Sequence, residues 1–333
     1  MIFRTTFNPS SALYALVYLL GAWVVNYFFG FISLEYSRQS ILARDAGAAV
    51  VLPLLTALLW WGKLVSTSFT IKALSYVASH RRRRNTTKLA KTFELIIDTN
   101  LKKFRLIILV CASLIAFNYL YWGGVFAPLQ NQFRYILLLQ ALPLWLCIIN
   151  FFAALIVSFH FSKMYITKYL RIRLFEIEEL GPLCNVVIVN TLICFVAIST
   201  YTINGLFFDL PDVDKYIMLL GCLILVFFLL SPIFLVRKVI KKRKEIMLQR
   251  INQSLNEQML MNTESNAYRR LVDDETRLQF ISDLLIVRKE VNQAPLWPMS
   301  MPFTVKMMLI LMLPILSWMG AGFVSQFLKV LQA

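Results

Sequence analysis

The chain has 333 residues, 59% hydrophobic and 16% charged, yet its formal net charge is +16, from 34 Lys and Arg against 18 Asp and Glu. A soluble domain this apolar could not cover its core with polar surface, and a disordered basic tail would not hold 26 Phe and 13 Tyr. The composition is that of an integral membrane protein, and the informative question is where the charge sits.

Crossing the hydrocarbon takes about 20 apolar residues in a helix. Seven runs qualify, at 11–33, 47–65, 105–124, 135–160, 185–208, 216–236 and 303–325. The first follows Asn8-Pro9-Ser10, a helix-start signal. It is too long for a signal-peptide core and has no small-x-small cleavage site, so it reads as a retained anchor. Pro53, Pro143, Pro232 and Pro314 fall inside runs and are expected to kink them. The predicted fold is an all-α polytopic bundle with three parts: a six-span bundle with basic inner loops over 1–236, a helical hairpin over 237–292, and an elbow with the seventh span over 293–333.

The basic residues fall on alternate connections. Segment 66–105 holds Lys72, Arg81, Arg82, Arg83, Arg84, Lys88, Lys91, Lys102, Lys103 and Arg105, and 161–184 holds Lys163, Lys168, Arg171 and Arg173. Segment 237–306 includes Arg237, Lys238, Lys241, Lys242, Arg243 and Lys244. On the opposite face Arg38, Arg44, Arg134, Lys215 and Lys329 are balanced by Glu35, Asp45, Asp209, Asp212 and Asp214. The positive-inside rule makes the charged face cytoplasmic, with the N-terminus in, the C-terminus out, and Lys63 at the inner end of the second span.

Residues 237–292 leave and rejoin the same face around the polar turn Asn262-Thr263-Glu264-Ser265-Asn266. Leu248, Ile251, Leu255 and Met259 on the first arm, and Leu271, Leu278, Ile281 and Leu285 on the second, repeat at helical spacing. Two antiparallel helices follow, the first growing out of span six. Each stripe either packs on its sibling arm or offers Leu248, Ile251, Leu255, Leu278, Ile281 and Leu285 to a second copy or a cytoplasmic protein. The run Arg81, Arg82, Arg83, Arg84 precedes a helical pattern at Leu89, Phe93, Ile96, Ile97 and Leu101. With Lys241, Lys242, Arg243 and Lys244 it reads as an anchor to anionic lipid headgroups. No RNA-binding aromatic motif accompanies it, so nucleic acid is not the expected partner.

The sequence contains no phosphate-binding P-loop, HExxH, G-x-S-x-G elbow or kinase signature. No Asp or Glu lies inside a run, which argues against a proton- or ion-coupled transporter. Cys111, Cys147, Cys184, Cys194 and Cys222 lie in or beside apolar runs without a CxxC pair and read as apolar thiols. With only His80 and His160, a histidine-based metal site is not expected. The turn from Asp209 to Asp214 has too few oxygens and no glycine for calcium and reads as a solvated loop. Asn26, Asn118, Gln140, Asn150, Asn190 and the intramembrane Ser and Thr are expected to hydrogen-bond between helices. No catalytic residue, cofactor or metal is assigned.

Pro295-Leu-Trp297-Pro298, followed by Leu313-Pro314-Ile-Leu-Ser317-Trp318-Met-Gly320-Ala321, resembles the tail of uncharacterised bacterial inner-membrane proteins. In these, a helical cytoplasmic segment leads to a W-P elbow and a last span carrying P-x-x-S-W-x-G-A. The resemblance implies a bacterial cytoplasmic membrane and no activity. Physically, Pro314 kinks, Gly320 and Ala321 permit close helix approach, and Trp318 fills the gap. The seven-span topology is also similar to that of insect gustatory receptors, whose last span carries T-Y-x5-Q-F. Gln326-Phe327 is present here, but Met319-Gly320 stands in place of Thr-Tyr. The expected function is non-enzymatic: a membrane scaffold or sensor-effector subunit, for instance of a cell-envelope or defence system, engaging a partner through its hairpin. An oligomeric ion channel or pore is the alternative, and a chemoreceptor-like channel the further one.

Overall fold

The computed structural model describes residues 9–32, 41–82, 86–122, 133–168, 180–207, 212–260 and 275–296, with short helical pieces between 305 and 316. Every element among the described residues is helical: α1 Pro9–Phe28, α2 Ile41–Arg82, α3 Thr86–Trp122, α4 Arg134–Leu139, α5 Ala141–Lys168, α6 Gly181–Tyr201 with a 3-10 turn Thr202–Leu206, α7 Asp212–Leu260, and α8 Glu275–Gln293. Four stretches among them are long and apolar enough to cross a membrane, Leu42–Ser79, Thr87–Tyr121, Arg134–Thr167 and Gly181–Gly205, and Ala12–Phe28 is a shorter apolar helix. This is the make-up of an integral membrane protein. The predicted sixth run lies inside α7, and 303–325 is described only in short helical pieces between 305 and 316.

α1 begins at the predicted start, Pro9, but stops before residue 33 in a Schellman turn. Phe31 N–H donates to Asn26 C=O at 3.0 Å and Gly30 N–H to Tyr27 C=O at 2.9 Å. Gly30 takes φ of +70°, a left-handed conformation open to a residue without Cβ. The flank of α1 exposes Leu13, Leu16, Val17, Leu20 and Val24, and α3 exposes Leu106, Ile107, Val110 and Leu114. Apolar faces this long are stable against lipid, not water.

Segment 66–105, read from sequence as a connection, is instead helical at both ends. α2 runs for 42 residues, about 63 Å at 1.5 Å per residue, roughly twice the hydrocarbon thickness. Its Ser- and Thr-rich stretch stays helical because the hydroxyls bond back to their own helix: Thr67 Oγ1 donates to Lys63 C=O and Thr70 Oγ1 to Ser66 C=O, each at 2.9 Å. Thr56, Thr191 and Thr200 likewise donate one turn back to their own helices. The pattern read into the start of α3 holds: Phe93, Ile97 and Leu101 are buried. Phe93 meets the rings of Phe161 and Tyr165 on α5 edge-on, at 5.5 and 5.8 Å between centroids.

Each proline inside a long helix leaves one carbonyl without its usual N–H partner. Pro53 frees Ala49 C=O, and Asn26 Nδ2 from α1 donates to it at 2.7 Å. Asn26 also pairs reciprocally with Gln140: Gln140 Nε2 donates to Asn26 Oδ1 at 2.7 Å, and Asn26 Nδ2 to Gln140 Oε1 at 3.2 Å. Gln140 is itself a break. The predicted run 135–160 divides there into α4 and α5, with Gln140 N–H reaching back three residues to Leu137 C=O at 3.1 Å. Pro143 lies just beyond, unable to bond Leu139 C=O. Pro232 frees Phe228 C=O in α7, and the neighbouring Ser231 Oγ donates to it at 2.7 Å. Ser231→Ala is expected to lower stability by about 1 kcal/mol, and the loss should vanish when Pro232→Ala restores the backbone donor. Unfolding by detergent titration measures both.

α2 is the centre of the packing: it meets α1, α3, α5 and α6, while α3 runs along α5, and α7 meets α5, α6 and α8. One apolar cluster joins Leu52 and Leu59 of α2, Phe151 and Leu155 of α5, Ile193 and Phe195 of α6, and Leu229 of α7. A larger one links Leu74 and Val77 of α2 through Ile97, Val157 and Leu183 to Ile240, Ile251 and Leu255 of α7 and Val291 of α8. Two charged residues lie within the helix packing. Asp45 at the start of α2, counted with the acids of the balanced face, pairs with Arg134 Nε of α4 at 3.1 Å. Lys63, read as the inner end of the second span, is 2% exposed in the middle of α2, which continues well past it.

Candidate functional site

α2, α5, α6 and α7 line a cavity. About 50 Å³ of it is open to the centre of a water molecule, several times what one water needs. Its walls are mainly apolar, with Leu155 and Phe159 from α5, Val187 from α6, and Phe228 and Ile233 from α7. Three side-chain hydroxyls, from Thr70, Ser158 and Ser162, and the carboxamide of Asn190 interrupt that wall.

The polar groups are not equivalent. Thr70 has spent its proton on Ser66 C=O. Ser158 is 3% exposed and Asn190 8% exposed, yet Ser158 Oγ and Asn190 Oδ1 make no hydrogen bond within the protein. A buried polar atom left this way costs about 1–3 kcal/mol, so a cavity lined by two of them is a place where a further molecule is stabilised. Asn190 is held there by a close contact one turn along α6. A Cβ built on Gly62 of α2 would lie 2.5 Å from Ile193 Cγ2, so the two helices touch where α2 has no side chain. Lys63, the next residue, is buried on the same helix.

α7 is both a cavity wall and a long lever. It contributes Phe228, Leu229, Pro232, Ile233 and Val236 to the cavity and continues without interruption to Leu260. Its 49 residues span about 73 Å. The far half pairs with α8 as the predicted antiparallel hairpin. Ile251 and Leu255 are buried, Leu248 is partly buried, and Ile281 packs against them from α8. The α8 seam differs from the predicted one, however. It runs through Ile281, Leu284, Val287 and Val291, while Leu278 and Leu285 are exposed beside Phe280 and Ile286. Leu284 to Val287 are four successive apolar residues, so spacing alone allowed two rotations of the helix, and Val291 at the base selects the observed one.

Lys241, Lys242 and Arg243 are exposed, as headgroup contacts require. Lys244 is not free for that role: its Nζ donates to Asn292 C=O at 2.6 Å and Ala294 C=O at 3.2 Å, closing the C-terminal end of α8. Arg81 and Arg82 end α2, whereas Arg83 and Arg84 lie outside the described residues, as do Pro314, Trp318, Gly320, Ala321 and the Trp297-Pro298 elbow. Cys147, Cys184 and Cys194 are buried, whereas Cys111 is exposed on the apolar flank of α3. Among the described residues no group of three His, Cys, Asp or Glu side chains is placed to hold a metal ion. Asn190 carried a sequence signal as a polar residue in an apolar run. Ser158 carried none, since nothing separates it in sequence from serines that bond to their own helix. No protein-family model matches this chain, and no curated protein or solved structure matches it either.

Proposed function

We propose that the chain is a non-enzymatic sensor-effector subunit of a membrane, the bacterial cytoplasmic membrane by its resemblance, with seven spans, its N-terminus inside and its hairpin in the cytoplasm. The observation that carries this reading is the continuity of α7, one helix that walls the cavity at Phe228 and Ile233 and forms the hairpin core at Ile251 and Leu255. A small rearrangement at the cavity reaches the hairpin through a rigid element, without a loop to absorb it. Arg81, Arg82, Arg83, Arg84, Lys241, Lys242 and Arg243 hold the inner face to anionic headgroups, each worth about 1 kcal/mol near the surface. The partner surface is the outward side of α8, where Leu278, Phe280, Leu285 and Ile286 are exposed.

Affinity capture from native membranes tests this. Replacing Leu278, Leu285 and Ile286 together by Gln is expected to remove the co-purifying cytoplasmic protein or second copy while leaving the yield of folded chain unchanged. An identical set of captured proteins from wild type and variant would sink the reading. The rival reading, an oligomeric pore of channel or chemoreceptor type, draws on buried Lys63, since ionisable groups inside a bundle commonly mark ion paths. Steady conductance from purified protein in planar bilayers, lost in Lys63→Met, would favour it.

A further inference from the structure

We infer that the cavity between α2, α5, α6 and α7 is a binding site for an alcohol, a neutral molecule whose hydroxyl meets Ser158 Oγ and Asn190 Oδ1 while its hydrocarbon lies against Phe159, Phe228 and Ile233. This rests on the reading of the cavity as the sensing end of α7 and adds the chemistry of what it senses. Three observations lead to it. First, the two unsatisfied atoms differ in kind: Asn190 Oδ1 only accepts, whereas Ser158 Oγ carries a proton to give. A ligand hydroxyl donates to Asn190 Oδ1 and accepts from Ser158 Oγ, whereas an ether or ketone has no proton for Asn190 Oδ1. Second, among the described residues no Asp, Glu, Lys, Arg or His lines the cavity, so an ion entering it would leave its charge uncompensated in an apolar wall. Third, apolar side chains form most of the lining, and these reward hydrocarbon and not a second polar group. The available volume suits a short chain.

Two sources present that chemistry: a free short-chain alcohol, or a lipid whose hydroxyl projects from a hydrocarbon body. Cys184 lines the same cavity and is buried, so its reaction with a small uncharged reagent reports whether the cavity is occupied. The full five-cysteine chain, in phosphatidylcholine nanodiscs, is treated for timed intervals with methyl methanethiosulfonate, and modification of Cys184 is read by peptide mass spectrometry. With n-butanol at about twice its dissociation constant the rate is expected to fall about threefold. Diethyl ether, which has as many carbons and no donor, should leave the rate unchanged. Asn190→Leu and, separately, Ser158→Ala should each abolish the protection by n-butanol. Ser158→Ala removes a single oxygen and keeps the test available should Asn190→Leu fail to fold.

Equal effects of butanol and ether would mean a disturbed membrane and overturn the proposal, as would no effect of either, a cavity that holds water only. Given protection by butanol, nanodiscs with added diacylglycerol identify the source. Slowed modification without butanol assigns the site to a lipid hydroxyl, and an unchanged rate to a soluble alcohol. Cys184 reactivity reports occupancy alone, whereas affinity capture reports the hairpin alone. Failure of the alcohol site therefore leaves the effector surface standing, and loss of the partner surface leaves the alcohol site standing.

Discussion

Gly62→Ala is expected to destabilise the protein by about 1–3 kcal/mol, and Gly62→Leu by more, as a fall in the detergent concentration at which purified protein unfolds. The sign is what makes the experiment informative. In a helix interior, Gly to Ala ordinarily stabilises by about 1 kcal/mol, because alanine has less conformational freedom to lose. Here the new Cβ meets Ile193 Cγ2 at 2.5 Å. That methyl sits on a β-branched carbon whose χ1 is nearly fixed, so it cannot swing aside as the end of a longer side chain would. Either α6 moves away from α2 or the methyl is removed. Ile193→Ala alone should cost about 2–5 kcal/mol for its lost burial. The Gly62→Ala/Ile193→Ala pair should then cost less than the sum by about 1 kcal/mol or more. Strict additivity would show that the two helices do not meet through these atoms. Because Asn190 lies one turn from Ile193, the displaced helix should also lose the alcohol protection of Cys184.

Asn26→Leu is expected to cost about 2–4 kcal/mol, because it leaves Ala49 C=O and both polar atoms of the Gln140 side chain without partners. Leucine keeps the branched shape and the number of side-chain heavy atoms, so the change removes hydrogen bonds and not packing contacts. The three groups come from α1, α2 and the α4–α5 break, which makes Asn26 the junction of otherwise separate helices. Pro53 is the reason that Ala49 C=O needs a side-chain donor at all. In a Pro53→Ala background the backbone N–H of residue 53 can serve that carbonyl, and the penalty of Asn26→Leu should shrink by about 1 kcal/mol. A penalty independent of residue 53 would show that Asn26 acts through Gln140 alone.

These junctions mark the limit of what the sequence disclosed. Long continuous apolar runs identify a helical membrane protein, because a helix satisfies its own backbone in lipid whereas the strands of a barrel alternate apolar and polar residues. The hairpin was legible because Ile251 and Leu255 stand at helical spacing with polar neighbours. The ends of helices were not. Charge clusters such as Lys102, Lys103 and Arg105 look like a boundary, yet α3 passes through them, since lysine and arginine are good helix formers and need only a solvated side for their heads. Nor does composition say which polar residue in an apolar run is satisfied. Thr191 bonds to its own helix, whereas Asn190 beside it points into the cavity, and only the rotation of α6 decides between them. The α8 seam shifted for want of a tie-breaker among Leu284, Leu285, Ile286 and Val287.

The unbroken course of α7 also restricts how the chain can vary. Between Pro232 at the cavity and Ile251 at the hairpin seam the number of residues is a phase as well as a distance. Each residue inserted there would turn the arm by about 100° and carry it about 1.5 Å along the axis, pointing Ile251 and Leu255 away from α8. The stretch in between, Lys238 to Arg250, is therefore free in side-chain identity on its exposed side and fixed in length. Relatives of this protein should tolerate substitution in that stretch far more readily than a one-residue insertion or deletion.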